Sequence, residues 1–509
     1  MRTLQEAYEA VEAYSPAEEH FNRRRRTVGL FLAPAVFLLV LLWPLPALPP
    51  GAHRMAAIMA LVVVLWITEA LPMAATALLG PVVAILLHVA PARAALASFS
   101  DPIIFLFIGS FMLAEAMFVH GVDRRIAYTA LSWPAIGSSG ARVLIVYGAV
   151  ATVLSMWISN TATTAMMFPI GLSIVAHLSK TRGRTGPDLR RFAMAMMLIT
   201  SFGASVGGMA TPVGTPPNLI GIGLIDRIEK THIGFFQWMT VGMPAVILLF
   251  AFLAVYFWLT CARGVRTGED SAALVRDELR KLGPLSVGER NVLLAFGITV
   301  LLWVAPGLLA VAGLSGAPWA RAFVVAVPES VAAMVGALLL FLMPLNWRAR
   351  RFTLSWDEAV RIDWGIVLLY GGGLALGDLA FSTGLAGAVG DGLAGLLPSK
   401  TTFALTVLFT GLAILLSETT SNTASANMIV PIALAVSESA GSGAILPALG
   451  ATLGASMGFM MPISTAPNAI VYSSGYIPIG QMMKYGLALD VAGFITIVGV
   501  LTLIGPLLF

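Results

Sequence analysis

Two short polar segments with nearly the same sequence interrupt an otherwise hydrophobic chain. The first SNT segment reads SNTATTAMMFPI at 159–170, the second reads SNTASANMIVPI at 421–432, and seven of the twelve positions are identical. Serine and threonine hydroxyls and asparagine amides can donate hydrogen bonds to a carboxylate or offer oxygen to a sodium ion. Residues of these types therefore suit a site that binds an anion, a small cation or both.

A second pair of segments, which we call the PN segments, follows the first pair. They read TPVGTPPNLIG at 211–221 and MPISTAPNAIV at 461–471, each midway along a long apolar stretch. Proline removes backbone donors and glycine permits unusual dihedral angles, so a helix is expected to unwind there. Unwound backbone at membrane depth persists only where it lines a cavity or is buried in protein. The PN segments are therefore further candidates for a binding site.

The composition indicates that the elements holding these segments are membrane helices. Hydrophobic residues make up 58% of the 509 residues and charged residues only 11%. The apolar runs are roughly 18 to 25 residues long, the length that a helix needs to cross the hydrocarbon core, and none alternates like a barrel strand. The sequence predicts an all-α polytopic membrane protein with about eleven transmembrane helices. They are predicted near 28–46, 54–71, 74–90, 102–120, 192–225, 237–262, 290–312, 323–345, 364–383, 444–475 and 485–508.

Two further apolar stretches, 141–178 and 402–437, each carry an SNT segment at mid-length and are predicted to be re-entrant hairpins. Lysine and arginine collect in short cytoplasmic loops, and the basic clusters of this chain fit that rule if the N-terminus is cytoplasmic. On this topology the hairpin at 141–178 opens inward and the hairpin at 402–437 opens outward. The helices at 192–225 and 444–475, which contain the PN segments, are predicted to be broken.

The same reasoning divides the chain into four parts. They are a cytoplasmic N-terminal segment at 1–27, a first half at 28–262, a cytoplasmic linker at 263–289 and a second half at 290–509. Topology accounts for the net charge of +4, so no nucleic-acid partner is expected. We expect a multi-pass protein of the cell membrane, in a bacterium the inner membrane. Cys261 is the single cysteine, so no internal disulfide is expected.

The two SNT segments belong to an internal repeat. The offset of 262 residues that separates them also relates Asp101 to Asp363, and it relates Gly109, Ser155 and Pro169 to Gly371, Ser417 and Pro431. The predicted topology places the two copies in opposite orientations, and inverted repeats of this kind build secondary transporters. Helix N-termini there suit an anion, and loop carbonyls and helix C-termini suit a small cation. Asn160 and Asn422 could contact both species and so couple their binding.

With paired SNT segments on inverted hairpins, each followed by a PPN or APN break, the sequence resembles the divalent anion/sodium symporter family of dicarboxylate, citrate and sulfate carriers. The resemblance spans nearly the whole chain. It implies a homodimer of elevator-type protomers, each with a scaffold domain and a moving transport domain that holds the site. It also implies sodium as the coupling ion, with at least two sites by symmetry, and a lipid bilayer as the setting.

The resemblance also assigns site residues. The first sodium site would use Ser155, Ser159, Asn160 and the Gly214 loop, and the second would use Ser417, Thr420, Asn422 and Ser464. Substrate would contact Ser159, Asn160, Thr161, Thr215, Ser421, Asn422, Thr423 and Thr465. The chain departs from the family at Ala466, where the second PN segment lacks the usual second proline. This difference is expected to reshape the substrate wall, and it leaves the choice of anion open.

The function that we predict is sodium-coupled import of four-carbon dicarboxylates such as succinate, malate or fumarate. Alternatives within the same fold are a sodium-independent dicarboxylate exchanger, a symporter for citrate or sulfate, and a proton-coupled carrier in which Glu418 would bind the proton. A channel is a further alternative, because broken helices also line pores. An enzyme is not expected, since the chain has no HExxH motif, and a pump would need a GxxxxGK[ST] motif that is also missing. Of the other intramembrane acids, Glu69 and Glu115 lie toward span ends and are expected either to form structural pairs or to snorkel to the membrane interface. Asp378 receives no role.

Overall fold

The computed structural model describes residues 16–133, 139–182, 187–263, 265 and 270–509. Parts of the predicted N-terminal segment (1–15) and of the linker (264 and 266–269) lie outside the described residues. The described chain is mostly helical, as predicted. Its strands β1 (Pro344–Asn346) and β2 (Arg351–Phe352) form a short antiparallel pair.

The first half and the linker contain twelve helices in the described residues. These are α1 (Pro16–Leu42), α2 (Pro50–Thr68), α3 (Met73–Leu86), α4 (Ala92–Ala95), α5 (Pro102–His120), α6 (Val122–Leu131), α7 (Gly140–Ser155), α8 (Asn160–Arg182), α9 (Pro187–Gly208), α10 (Pro216–Glu229), α11 (Phe235–Phe257) and, in the linker, α12 (Asp270–Lys281). A 3₁₀ turn (Ala97–Ser100) precedes α5, and a π-helical turn (Trp258–Ala262) follows α11.

The second half contributes eleven helices. These are α13 (Val287–Val311), α14 (Pro318–Ala326), α15 (Glu329–Leu342), α16 (Trp356–Ala359), α17 (Trp364–Ser382), α18 (Leu385–Leu396), α19 (Thr402–Thr419), α20 (Asn422–Ser439), α21 (Ile445–Gly454), α22 (Ala466–Tyr472) and α23 (Ile479–Leu508).

Nine of the described helices are long and apolar enough to cross a membrane, and a bent pair, α14 and α15, would make a tenth. The nine include α8 and α19, which belong to the predicted hairpins, whereas α3 is shorter than a full span. The prediction of a polytopic helical protein is therefore confirmed. The count of eleven spans and the re-entrant depth of the hairpins stay predictions.

Each SNT segment begins the second helix of a helical pair. Residues 156–159 separate α7 from α8, and residues 420–421 separate α19 from α20. The serine before each second helix caps it: Ser159 Oγ accepts from Ala162 N, and Ser421 Oγ accepts from Ala424 N, both at 3.2 Å. Serine is favoured at this position because its hydroxyl satisfies a backbone donor that has no partner within the helix.

Both PN segments lie between two helices. Residues 209–215 separate α9 from α10, and residues 455–465 separate α21 from α22. The asparagine of each segment closes the break by donating from Nδ2 to two backbone carbonyls. Asn218 donates to Gly208 O (2.9 Å) and Thr211 O (2.8 Å). Asn468 donates to Gly458 O and Met461 O, each at 3.0 Å.

The halves pack through reciprocal contacts. Helix α9 of the first half contacts α22 of the second, and α10 contacts α21. Likewise α8 contacts α22, and α10 contacts α20. Such an exchange of partners is what a twofold relation between the halves would produce, and it brings the SNT and PN segments of both halves together.

An ion-pair network ties α10 to the start of α5 and to the last part of α17. The Arg227 guanidinium lies 3.1 Å from Asp101 Oδ2 and 2.8 Å from Asp378 Oδ2. Asp101 also caps α5 by accepting from Ile103 N at 2.9 Å, while its repeat partner Asp363 caps α17. Asp378, for which the sequence predicts no role, therefore fixes Arg227 in this network.

Candidate functional site

A cavity of about 780 Å³ lies where the SNT and PN segments of the two halves meet. Its wall also includes parts of α5 and of the loop at 360–363. All the residues that were predicted to contact substrate line this cavity: Ser159, Asn160, Thr161, Thr215, Ser421, Asn422, Thr423 and Thr465. The structure thus brings them together, while their contact with a substrate stays a prediction.

At the first SNT segment, Ser155 and Asn160 form a pair. Ser155 Oγ is buried and donates to Asn160 Oδ1 at 2.7 Å. Gly208 is needed beside them, because a Cβ there would lie 2.3 Å from Asn160 Oδ1 and 3.1 Å from Gly214 O. The amide oxygen of Asn160 and the carbonyl oxygen of Gly214 therefore approach the same point.

The second SNT segment repeats the pair. Ser417 Oγ lies 2.8 Å from Asn422 Oδ1 and 2.8 Å from Ala455 O. A Cβ on Gly458 would lie 3.0 Å from Ser417 O and 3.2 Å from Asn422 Oδ1. Each hairpin tip thus has a serine that contacts an asparagine five residues later. Beside each pair lies a glycine, Gly208 just before the first PN break and Gly458 within the second.

Two further predicted sodium ligands, Ser464 and Thr420, have different hydrogen-bond partners. Ser464 lines the cavity and donates to Glu418 Oε2 at 2.8 Å. Thr420 is buried, and its hydroxyl pairs with Ser425 Oγ at 2.8 Å instead of with another predicted ligand. Most of the predicted sodium ligands are uncharged hydroxyl, amide and carbonyl oxygens. Such a set suits a monovalent hard cation. No group of three His, Cys, Asp or Glu side chains that could hold a metal ion occurs in the described residues.

Charged residues that the sequence did not assign to the site also line the cavity. Glu115 is 6% exposed and lies within the electrostatic reach of Arg361, which comes from the loop between α16 and α17. Within the described part of the chain, no ion pair is recorded for Arg361. The sequence could not predict that Arg361 lines the cavity, because neither its spacing from the SNT and PN segments nor its neighbouring residues distinguish it from an ordinary loop arginine.

Glu69 lies at the cavity wall in an ion pair, as was expected of it. Its Oε2 atom is 2.8 Å from Arg25 Nη2 and 3.7 Å from Arg26 Nη2. Both arginines come from α1, whose other residues are mainly apolar. This group joins α1 to the end of α2 beside the cavity.

The family model described as the sodium:sulfate symporter transmembrane region matches residues 24–509. The sodium-dependent dicarboxylate transporter SdcS of Staphylococcus saprophyticus is 32% identical over 484 residues, which cover 94% of this chain and 91% of that protein. SdcS of Staphylococcus aureus strain MRSA252 is 32% identical over 485 residues, with the same coverage.

Among solved structures, the fold is similar to that of the YdaH transporter of Alcanivorax borkumensis. The TM-score is 0.51 at 12% sequence identity, and the match covers 81% of this chain and 87% of the other. At this identity the likeness concerns the fold alone.

Proposed function

The chain belongs to the sodium:sulfate symporter family, and on that premise we propose that it is a sodium-coupled symporter that imports four-carbon dicarboxylates such as succinate, malate or fumarate. It is a multi-pass membrane transporter and not an enzyme. The observation that carries the proposal is the single cavity in which both SNT segments and both PN segments meet. Relatives named as sodium-dependent dicarboxylate transporters support the choice of substrate class.

The cavity offers two similar anion-binding ends, one for each carboxylate. Helices α8 and α20 begin at Asn160 and Asn422, and both residues line the cavity. Helix N-termini present free N–H groups and the positive end of the helix dipole, which favour negative charge. Hydroxyls of Ser159, Thr161, Ser421 and Thr423, with those of Thr215 and Thr465, would complete the hydrogen bonding of the substrate.

Sodium would bind on the other side of each asparagine. The Oδ1 atoms of Asn160 and Asn422 face the serines at 155 and 417, whereas in the described residues neither side-chain NH₂ group donates a recorded hydrogen bond. Each amide could therefore give oxygen to sodium and N–H to the carboxylate. Binding of either species would raise the affinity for the other, since coupling of this kind is reciprocal. Two matched tips support at least two sodium sites.

The larger organisation is proposed on the family resemblance. We expect a homodimer with elevator-type movement of a transport domain against a scaffold, in the bacterial inner membrane, with the N-terminus in the cytoplasm. The first half (28–262) and the second half (290–509) would then be inverted repeats around the cytoplasmic linker. The reciprocal packing of α9 with α22 and α10 with α21 supports the repeat relation.

The test is uptake of radiolabelled succinate into proteoliposomes with an inward sodium gradient, with choline in its place, and with dicarboxylate preloaded inside. Uptake that requires external sodium and saturates with succinate is the expected result. Uptake that depends only on internal dicarboxylate would make the protein an exchanger, and uptake driven by a proton gradient would make it a proton symporter. Competition by citrate and sulfate then ranks the anions.

A further inference from the structure

The start of α1 supplies a part of the cavity wall that belongs to neither the SNT nor the PN segments. Asn22 and Arg26 line the cavity, together with Glu69 just after the end of α2. Residues 22 and 26 are four positions apart, so they lie on the same face of the helix. The sequence predicts only a topological role for the arginines at 23–26, so the place of Arg26 in the cavity wall comes from the structure alone.

Arg25 and Arg26 differ in how they contact Glu69. Arg25 Nη2 donates to Glu69 Oε2 at 2.8 Å, and the Arg25 side chain is 14% exposed. Arg26 Nη2 lies 3.7 Å from the same oxygen, which is too far for a hydrogen bond, and the Arg26 side chain is 57% exposed. Among the described residues the Arg26 guanidinium donates no recorded hydrogen bond. Its N–H donors are therefore available to an anion in the cavity.

The packing of α1 against α2 fixes the position of this group. Gly29, three residues after Arg26, lies so close to Thr68 that a Cβ atom at this position would overlap the Thr68 hydroxyl. Glu69 follows with a φ of 49°, in the left-handed region that residues other than glycine adopt at an energetic cost. Backbone held in such a conformation is found preferentially at functional sites. Here it directs the Glu69 carboxylate toward both arginines.

The acidic residues of the cavity wall are each offset by another group. Arg25 pairs with Glu69, and Arg361 lies within electrostatic reach of Glu115. Asp363 caps α17 by accepting from Ile366 N at 3.2 Å, where the helix dipole favours negative charge. The positive charge of Arg26 is therefore left to attract an anion.

The cavity has room for an anion beside Arg26 as well as at the SNT segments. Its volume of about 780 Å³ is that of pockets that bury drug-sized molecules, and a four-carbon dicarboxylate is much smaller. The wall near Arg26 comes from the start of α1, and Glu69 and Phe118 line the cavity from the ends of α2 and α5. On the proposed topology these three helix ends face the cytoplasm. Arg26 then lies at the cytoplasmic mouth of the cavity.

We propose that Arg26 forms an outer anion subsite at this mouth, where a carboxylate of the substrate binds between the SNT segments and the cytoplasm. A guanidinium suits this role, because it can donate two parallel hydrogen bonds to one carboxylate. The subsite would raise the rate at which a dianion enters the cavity from the cytoplasmic side. This proposal rests on the proposed function, which supplies the substrate class and the orientation.

The first experiment measures the KM for labelled succinate in right-side-out and inverted membrane vesicles, at constant sodium and at two ionic strengths set with choline chloride. Arg26→Gln is expected to raise the KM about three- to tenfold in inverted vesicles at low ionic strength, and less at high ionic strength. In right-side-out vesicles the KM should stay within about twofold of wild type, because the subsite faces the other side. Arg26→Lys keeps the charge and should lie between wild type and Arg26→Gln. Arg24→Gln, which removes the same charge from an exposed position of α1, is the matched control.

A second experiment measures the charge at the subsite without transport. Asn22→Cys in a Cys261→Ser background places the only thiol of the chain one helical turn from Arg26. The ratio of its modification rates by an anionic and a cationic methanethiosulfonate reagent is expected to fall about tenfold when Arg26→Gln is added. In sodium-free potassium buffer, succinate or sulfate should slow the anionic reagent while Arg26 is present and have no effect in Arg26→Gln.

Two results would overturn the subsite. One is a KM in inverted vesicles that Arg26→Gln and Arg24→Gln change equally, or that Arg26→Gln changes equally from both sides. The other is a ratio of thiol modification rates that does not depend on Arg26. Wild type without sodium-dependent succinate uptake would overturn the proposed function, and the thiol experiment would still decide the subsite.

Discussion

At the scale of single residues, the asparagines at 160 and 422 are the groups that link the two proposed ligands. Each is the first residue of a helix, and each Oδ1 atom is held by a serine at 2.7 or 2.8 Å. Their amide groups have both an acceptor and two donors, which no carboxylate or hydroxyl offers in the same geometry.

Replacement of either asparagine should abolish sodium-dependent uptake. In Asn160→Ala or Asn422→Ala the serine loses its partner, and the site loses an oxygen for sodium and an N–H for the anion. We expect at least about a hundredfold loss of uptake, because two interactions of roughly 1.4 kcal/mol each disappear. Radiolabelled uptake measures it, with membrane insertion checked by fluorescence-detected size exclusion. Asn346→Ala, at an exposed strand position, is the control; normal uptake by either cavity variant would contradict the site assignment.

A second residue-scale prediction concerns Arg361, which lines the cavity without a recorded ion pair in the described chain. If the substrate is a dianion as proposed, this positive charge would attract it into a cavity that also holds Glu115. Arg361→Gln should raise the KM for succinate about three- to tenfold at low salt and less at high salt, since screening weakens such attraction. Uptake kinetics at two ionic strengths test this, with the exposed Arg348→Gln as control. A KM that is unchanged at low salt would remove Arg361 from the site.

At the scale of elements, the same hydrogen-bonding arrangement stabilises the two PN breaks, which differ in length and sequence. Both asparagines, Asn218 and Asn468, donate to two carbonyls that precede their helix. The first break is followed by α10 of 14 residues and the second by α22 of seven. Ala466 is the first residue of α22 and lines the cavity, whereas Pro216 begins α10.

Ala466→Pro should therefore fold, because proline is well tolerated at the first position of a helix. Its ring would change the cavity wall beside Thr465 without removing a hydrogen-bonding side chain. We expect expression close to wild type and a changed order of inhibition among succinate, citrate and sulfate in uptake competition. An unchanged order would show that this position does not determine selectivity.

At the scale of the whole molecule, ionic contacts hold the loop regions of the two halves together. The Arg227 network joins α10 to the start of α5 through Asp101 and to α17 through Asp378. His232, in the loop between α10 and α11, lies 3.7 Å from Asp226 Oδ1 and 3.6 Å from Glu329 Oε2 at the start of α15. The nearby Glu329 carboxylate raises the pKa of His232 above its ordinary value, against the effect of burial.

This raised pKa predicts a pH-dependent contribution to stability. The protonated histidine is favoured in the folded state, so its contribution is fully present below the unfolded pKa of about 6.5 and is lost as the pH rises through the folded pKa. Thermal unfolding in detergent should show wild type more stable than His232→Gln at a pH of about 6, with the difference reduced at about 8.5. His20→Gln, on the exposed start of α1, serves as control. An equal difference at both pH values would contradict the ionic role of His232.

The sequence by itself determined the class of the protein, the repeat and the segments that form the cavity. Helix length, apolar composition and the Gly, Pro and SNT patterns act locally, so the sequence predicts a polytopic helical protein with breaks at the SNT and PN segments. The structure has these breaks at 156–159, 209–215, 420–421 and 455–465. The eight predicted substrate residues share one cavity because they occupy those interruptions or the first turns of the helices that follow them.

Only the tertiary structure decided which distant side chains meet. Glu418 accepts a hydrogen bond from Ser464, Arg227 bridges Asp101 and Asp378, and Arg361 reaches the cavity from a loop. No spacing rule connects these residues, because their contacts depend on how α10, α17 and α19 pack against their neighbours. Burial then gives the contacts their meaning: a carboxyl group that would be an ordinary surface charge in water must find a donor, a cation or a proton inside the protein.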